Sequence, residues 1–159
     1  MYKSFLLFFI VLASCTTPKS FSEKALNDTF ITLDGKSIQF KEIIEVNKGK
    51  KILVNVWASW CKDCIVSFSG LKQLQIQYPG VVYVFISSDR SVFRWKKALE
   101  KYNLKGNHYY MSKGMDSDFG DFLNSNWIPR YLVINENGFL DLFKAKRITD
   151  SSIVEALKK

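Results

Sequence analysis

Histidine occurs once in this 159-residue chain and cysteine only three times. A closed tetrahedral zinc site takes about four nitrogen or sulfur ligands. With His108 alone and no second CxxC, the chain does not supply that set. Cys15, Cys61 and Cys64 are also too few for a disulfide-stapled scaffold, because a bridge from Cys61 to Cys64 closes almost no chain. Long apolar runs are missing too. The longest, the nine residues from Phe5 to Ala13, is about half of the roughly 20 needed to span a bilayer. Nor is there a single basic face: the formal charge of +8 is scattered from Lys48 to Lys159 without interleaved aromatics. That pattern argues for a solvated basic surface and against nucleic acid as a partner. Internal repeats are absent, and no linker follows Ser22.

What is present starts at the N-terminus. Met1 to Ser14, MYKSFLLFFIVLAS, has one lysine before its short apolar run, the form of a secretory signal. It closes on Leu12-Ala13-Ser14-Cys15, and small residues just before a cysteine resemble the lipobox of bacterial lipoproteins. In those proteins the signal is cut before the cysteine and its thiol is acylated. Residues 1–14 are therefore expected to be a lipoprotein signal peptide and Cys15 the lipidation site. An ordinary signal peptide cut near Ser14 is the alternative. Residues 15–29, which include Thr16-Thr17-Pro18-Lys19-Ser20, are expected to form a flexible tether. More than one acyl chain would hold the protein stably to a membrane. The expected location is extracytoplasmic, on the periplasmic side, where disulfides persist.

Periodicity divides the remainder. Phe30–Leu33 and Ser37–Phe40 alternate around Asp34-Gly35, a hairpin signal. Lys51–Trp57 and Val81–Ile86 read as strands buried on both faces. Between them Ile65, Phe68, Leu71, Leu74 and Tyr78 recur at three and four, predicting a helix closed by Pro79-Gly80. A second helix is expected over Ser91–Tyr102, a short strand within Gly106–Met111 and a short helix over Asp116–Leu123. Tyr131–Ile134 and Phe139–Phe143 flank an Asn-Gly turn, and Asp150 can cap a last helix from Ser151 to Lys159. The order implies an α/β fold with a mixed central sheet, helices on both faces and an N-terminal β-hairpin.

WASWCKDC places two cysteines where a buried strand runs into a helix. Cys61 then sits at the helix N-terminus, where unpaired amides and the helix dipole favour a thiolate. Cys64, one turn on, can attack a mixed disulfide at Cys61 and resolve it. Lys62 should stabilise the thiolate and Asp63 oppose it. A Cu(I) site of Cys61, Cys64 and His108 is the competing possibility, since soft thiolates suit that ion.

VNVWASWCKDC, VVYVFISSDR and NWIPRYLVINENGFL together resemble the thioredoxin superfamily, and most closely its membrane-anchored TlpA/ResA-like branch. The resemblance covers roughly Phe30 to the C-terminus and implies a thioredoxin-like domain over residues 30–159. It implies a thiol-disulfide oxidoreductase with Cys61 as nucleophile, Cys64 as resolving cysteine and Pro129 as a cis-proline facing them. Trp60, Lys62, Asp63 and Ile128 would contact substrate, Ile128 through its backbone. No cofactor and no metal are implied. The implied partners are client proteins with disulfides or dithiols and a membrane electron donor or acceptor. The usual role in that branch is reduction, for example in cytochrome c maturation; a copper-binding or adaptor module with little turnover is the alternative.

The chain also departs from the pattern. Asp63 stands where relatives often have proline, and Asn55 where thioredoxins bury an aspartate. Ser67 and Ser69-Gly70 replace a glutamate and a helix-kinking proline, so a kink would rest on Gly70. Trp57 reads as core, Trp95 and Trp127 as packing or rim, and Met111 and Met115 as packing rather than copper ligands. Arg130 reads as a residue at the substrate edge or a solvated strand start.

Overall fold

A computed structural model describes residues 17–124 and 127–159, so the expected signal peptide and Cys15 lie outside the described residues. The first elements are α1 (Glu23–Asn27), β1 (Thr29–Ile31), β2 (Ser37–Gln39) and α2 (Phe40–Glu45). Next come β3 (Ile52–Trp57), α3 (Lys62–Gln77), β4 (Val82–Ser87) and α4 (Val92–Tyr102). β5 (Asn107–Tyr110), a 3-10 turn (Gly114–Asp116) and α5 (Asp118–Leu123) follow. The chain ends with β6 (Arg130–Ile134), β7 (Leu140–Ala145) and α6 (Ser151–Lys158).

The strands form one seven-stranded sheet in the order β2-β1-β5-β4-β3-β6-β7. β3, β4 and β5 are parallel neighbours, as helix-bearing crossovers require. β6 and β7 close the other side as an antiparallel hairpin on β3. Its turn runs through Asn135–Phe139, and Gly138 takes the left-handed φ of 87° there. Every residue of β3 and β6 is buried, so the sheet centre is covered on both faces, which explains their nearly unbroken apolar sequence. The mixed α/β sheet with an N-terminal hairpin at its edge matches the sequence expectation.

Two sets of aromatic contacts fill the layers. Phe68 on α3 meets Trp57 of β3 and Tyr102 of α4, both edge-on, at 5.2 and 5.3 Å between centroids. A separate group joins Phe21, Phe30, Phe40, Phe119, Phe122 and Phe143, with the shortest spacing, 4.6 Å, between Phe40 and Phe119. Such pairs add specificity of geometry to the apolar area they bury.

That second group corrects the expected tether. Residues 21–28 are packed: Phe21 and Ala25 are buried, and Ser22 caps α1 by accepting the Ala25 amide at 3.2 Å. Asp28, at the end of α1, accepts the Phe119 amide of α5 at 2.8 Å. Upstream, the Lys19 carbonyl accepts the Leu140 amide of β7 at 2.8 Å. The helix has only five residues, too few to show a period, yet Phe21 and Ala25 find core partners in α2 and α5.

α3 is one continuous helix through Gly70. Here glycine permits close approach: an added Cβ would stand 2.9 Å from Cγ2 of Ile148. The residue expected to allow a kink instead lets the loop between β7 and α6 lie against α3.

Candidate active site

β3 ends at Trp57, and the chain turns through Ala58, Ser59 and Trp60 before α3 starts at Lys62. Cys61 is the N-cap of α3. Its Sγ accepts the Cys64 amide at 3.2 Å, satisfying one of the helix's unpaired donors. The two cysteines form a disulfide with their Cα atoms 5.3 Å apart. Cys61 keeps 8% of its surface exposed and Cys64 none, so the pair has an outer and an inner sulfur.

Facing the outer sulfur is the turn that enters β6. The Ile128-Pro129 peptide is cis, and the Ile128 carbonyl oxygen lies 3.6 Å from Cys61 Sγ across 67 residues of sequence. Trp60 and Trp127, each more than half exposed, stand as walls. With Cys61, Lys62, Asp63 and Ile128 they enclose a cleft of about 310 Å³. The structure thus brings together all the residues singled out around the CxxC.

Behind Cys64 the hydrogen-bonded groups among the described residues are hydroxyls rather than carboxylates. Ser67 donates to the Cys64 carbonyl at 2.6 Å, and the Tyr131 hydroxyl donates to Ser67 at 2.7 Å. Burial pushes the Tyr131 phenol up to about 12, with the Ser67 contact opposing the shift. Asn55 pairs in register with Tyr131 and so shares its sheet face, yet neither of its side-chain polar atoms has a protein partner. These groups occupy the place where the resemblance implied an acidic assistant.

Asp89, just beyond β4, was not singled out from sequence. It is buried and accepts from the Ser59 amide and hydroxyl and from the Ser87 hydroxyl. This braces the turn that delivers Cys61. The available signal was a carboxylate directly after a buried strand, in Ser87-Ser88-Asp89.

Arg130 corrects its expectation. It is buried, with only 2% exposed, and donates to the Trp127 carbonyl at 3.2 Å, so it supports the turn from within rather than lying at a solvated edge. Burial lowers its pKa. His108 stacks on Phe85 and bonds the Leu104 carbonyl at 2.9 Å, with β4 between its strand and β3. Its pKa is lowered, first by burial, with the Leu104 contact opposing. Among the described residues no group of three His, Cys, Asp or Glu side chains gathers as a metal site. Trp57, Trp95 and Met111 are core, and Met115 packs against it.

Known proteins are similar to this chain in sequence and in fold. A family model described as thioredoxin-like matches residues 49–140. The thiol-disulfide oxidoreductase ResA of Bacillus cereus is 29% identical over 85 residues, 52% of this chain and 47% of its own. The thiol:disulfide interchange protein DsbE of Escherichia coli is 33% identical over 105 residues, 64% of this chain and 53% of its own. The chain therefore spans about half the length of each. The thioredoxin domain of a thiol-disulfide oxidoreductase from Bacteroides vulgatus has the same fold, with a TM-score of 0.71 at 22% identity over 90% of this chain and 96% of that one. With the family model covering more than half of its length, the chain belongs to the thioredoxin-like family, and thiol-disulfide oxidoreductases of the ResA and DsbE type are its relatives.

Proposed function

We propose that the chain exchanges disulfides with extracytoplasmic client proteins, acting as a reductant. The observation that carries this reading is the position of Cys61 Sγ. It sits at a helix N-terminus, opens onto the cleft between Trp60 and Trp127, and faces the Ile128 carbonyl at 3.6 Å. Unpaired amides there favour the thiolate, the reacting form.

In the reduced protein the Cys61 thiolate attacks one sulfur of a client disulfide. A Cys61–client disulfide forms, and the other client sulfur leaves as a thiolate. Cys64 loses its proton to the surroundings and attacks Cys61 Sγ, which releases the second client sulfur. The client gains two electrons, two protons complete its thiols, and Cys61 and Cys64 are left joined. An external dithiol restores the pair by the same steps reversed; a membrane-bound electron donor is the proposed source. The haem-binding cysteines of a c-type cytochrome are one proposed client class. Pro129 shapes the turn that presents Ile128, whose backbone pairs with the client, while Trp60, Lys62 and Asp63 line the client's path. Leu12-Ala13-Ser14-Cys15 supports attachment to a membrane through lipid on Cys15. No helix of the described residues is long and apolar enough to cross a membrane.

Insulin disulfide reduction tests the reading. Wild type is expected to be active, and Cys61→Ser and Cys64→Ser inactive. Cys64→Ser alone should trap a mixed disulfide with client. An inactive wild type that retains stoichiometric Cu(I), lost in both variants, would overturn it in favour of a copper carrier. A reduction potential near about −270 mV supports the reductant role, and one near about −120 mV reverses the direction.

A further inference from the structure

The cleft at Cys61 continues past Trp127. Asp63 and Trp127 also line a second, larger cavity of about 760 Å³ that runs beside α3 to the loop between β7 and α6. Its lining joins the apolar side chains of Val66, Trp127, Pro129 and Ile148 to polar ones and to the cations Lys146 and Arg147, with Asp63 on the side shared with the redox cleft. Val66 and Trp127 are large apolar side chains left mostly exposed, 68% and 59%. The floor is set by Gly70, which lets Ile148 seat against α3.

The rim is also electrostatically one-sided. Lys146 and Arg147 are exposed, and among the described residues neither takes part in a salt bridge. Lys144 joins them around an adjoining depression that contains Asp150. Nearer the cysteines, Lys62 and Asp63 offset each other.

On the oxidoreductase reading above, we propose that this groove selects clients by the residues flanking the reactive cysteine: an apolar side chain two positions away and an acidic one two positions beyond it. A client segment laid extended against Ile128 presents alternate side chains to the protein. With its cysteine at Cys61, the residue two positions away enters between Val66 and Ile148, and an acidic residue two positions further on, on the same face of the segment, meets Lys146 and Arg147. Backbone pairing supplies contact common to all clients; the side groove and its cations supply preference.

Two short synthetic peptides test this, each a disulfide-linked homodimer through one cysteine, with leucine two residues from it. They differ only in carrying glutamate or lysine two residues beyond the leucine. The reduced full chain is expected to reduce the glutamate peptide about fivefold faster, the scale of two exposed charge pairs, with the preference falling as salt is raised. Lys146→Ala with Arg147→Ala should bring the ratio to about one, and Lys146→Glu with Arg147→Glu should invert it. Inversion cannot arise from misfolding. A wild-type ratio near one, or a ratio that survives both variants, overturns the groove. If wild type reduces neither peptide nor hydroxyethyl disulfide, the oxidoreductase reading falls. The groove is then judged by binding of the same peptides with serine in place of cysteine, followed by tryptophan fluorescence. Equal binding overturns the proposal, and glutamate preference lost in the double variants supports it. Capture of phosphatidylglycerol vesicles through Lys146 and Arg147 without any peptide preference assigns the rim to lipid headgroups and overturns it as well.

Discussion

Both carboxylate oxygens of Asp89 lie 3.0 Å from the amide nitrogen of Ser59, thirty residues earlier in the chain. Ser59 is two residues before Cys61, so a group at the end of β4 fixes the turn that ends β3. Replacing Asp89 by asparagine turns an N–H toward donors that need an acceptor. Asp89→Asn should lower stability by about 2 kcal/mol, read as a lower urea midpoint at unchanged slope. A change below about 0.5 kcal/mol would show that Ser59 is held by other contacts.

Alkaline pH probes the group behind Cys64. An unfolded tyrosine ionises near 10.0, whereas Tyr131 holds its proton to about 12 in the folded chain. Its contribution is therefore complete below pH 10 and is lost as pH rises towards 12. Tyr131→Phe should flatten that alkaline loss and cost about 1 kcal/mol at neutral pH through the lost Ser67 contact. Tyr83, also pushed up to about 12 by burial, keeps part of the slope. Identical alkaline profiles for the two proteins would refute the assignment.

His108 acts at the other end of the scale. Burial lowers its pKa from 6.5, so the unfolded chain takes up a proton before the folded one. Its contribution is intact above pH 6.5 and is lost as the pH falls below that value. His108→Phe should flatten unfolding free energy against pH in that window. If the slope below pH 6.5 persists unchanged, other groups produce it.

Asn55 buries an amide that no protein group satisfies. Asn55→Leu removes the desolvation penalty at similar volume and should raise stability by about 1 kcal/mol, measured by urea unfolding. A loss of stability would mean that the amide is hydrogen-bonded in solution.

The parts legible in sequence were those written in short-range patterns. The change of period at Cys61 marked the end of β3 and the start of α3, and the Asn-Gly turn marked the β6–β7 hairpin. Ile128-Pro129 became informative only beside the CxxC, through the family resemblance. What escaped the reading depends on residues far apart in the chain. Asp89 has meaning only against Ser59, and Arg130 read as a substrate-edge residue or a solvated strand start because nothing local indicates that it is buried against the Trp127 carbonyl. α1 is five residues long, and its order comes from α2 and α5 rather than from its own propensity. Ser67 read as a missing glutamate, yet it joins Tyr131 to the Cys64 backbone.

The packing of residues 19–28 sets the length of a leash. Lys19 is bonded to β7, so if Cys15 is the lipid-bearing residue, three residues, 16–18, separate the anchor from that bond. Fully extended, the chain from Cys15 to Lys19 reaches about 14 Å, less than the width of the domain itself. Held that closely, the protein would roll over the membrane rather than roam from it. On such an anchor its clients would be those whose cysteines come within a thin layer above the lipid, and the proposed membrane-bound electron donor would be met by lateral diffusion in two dimensions.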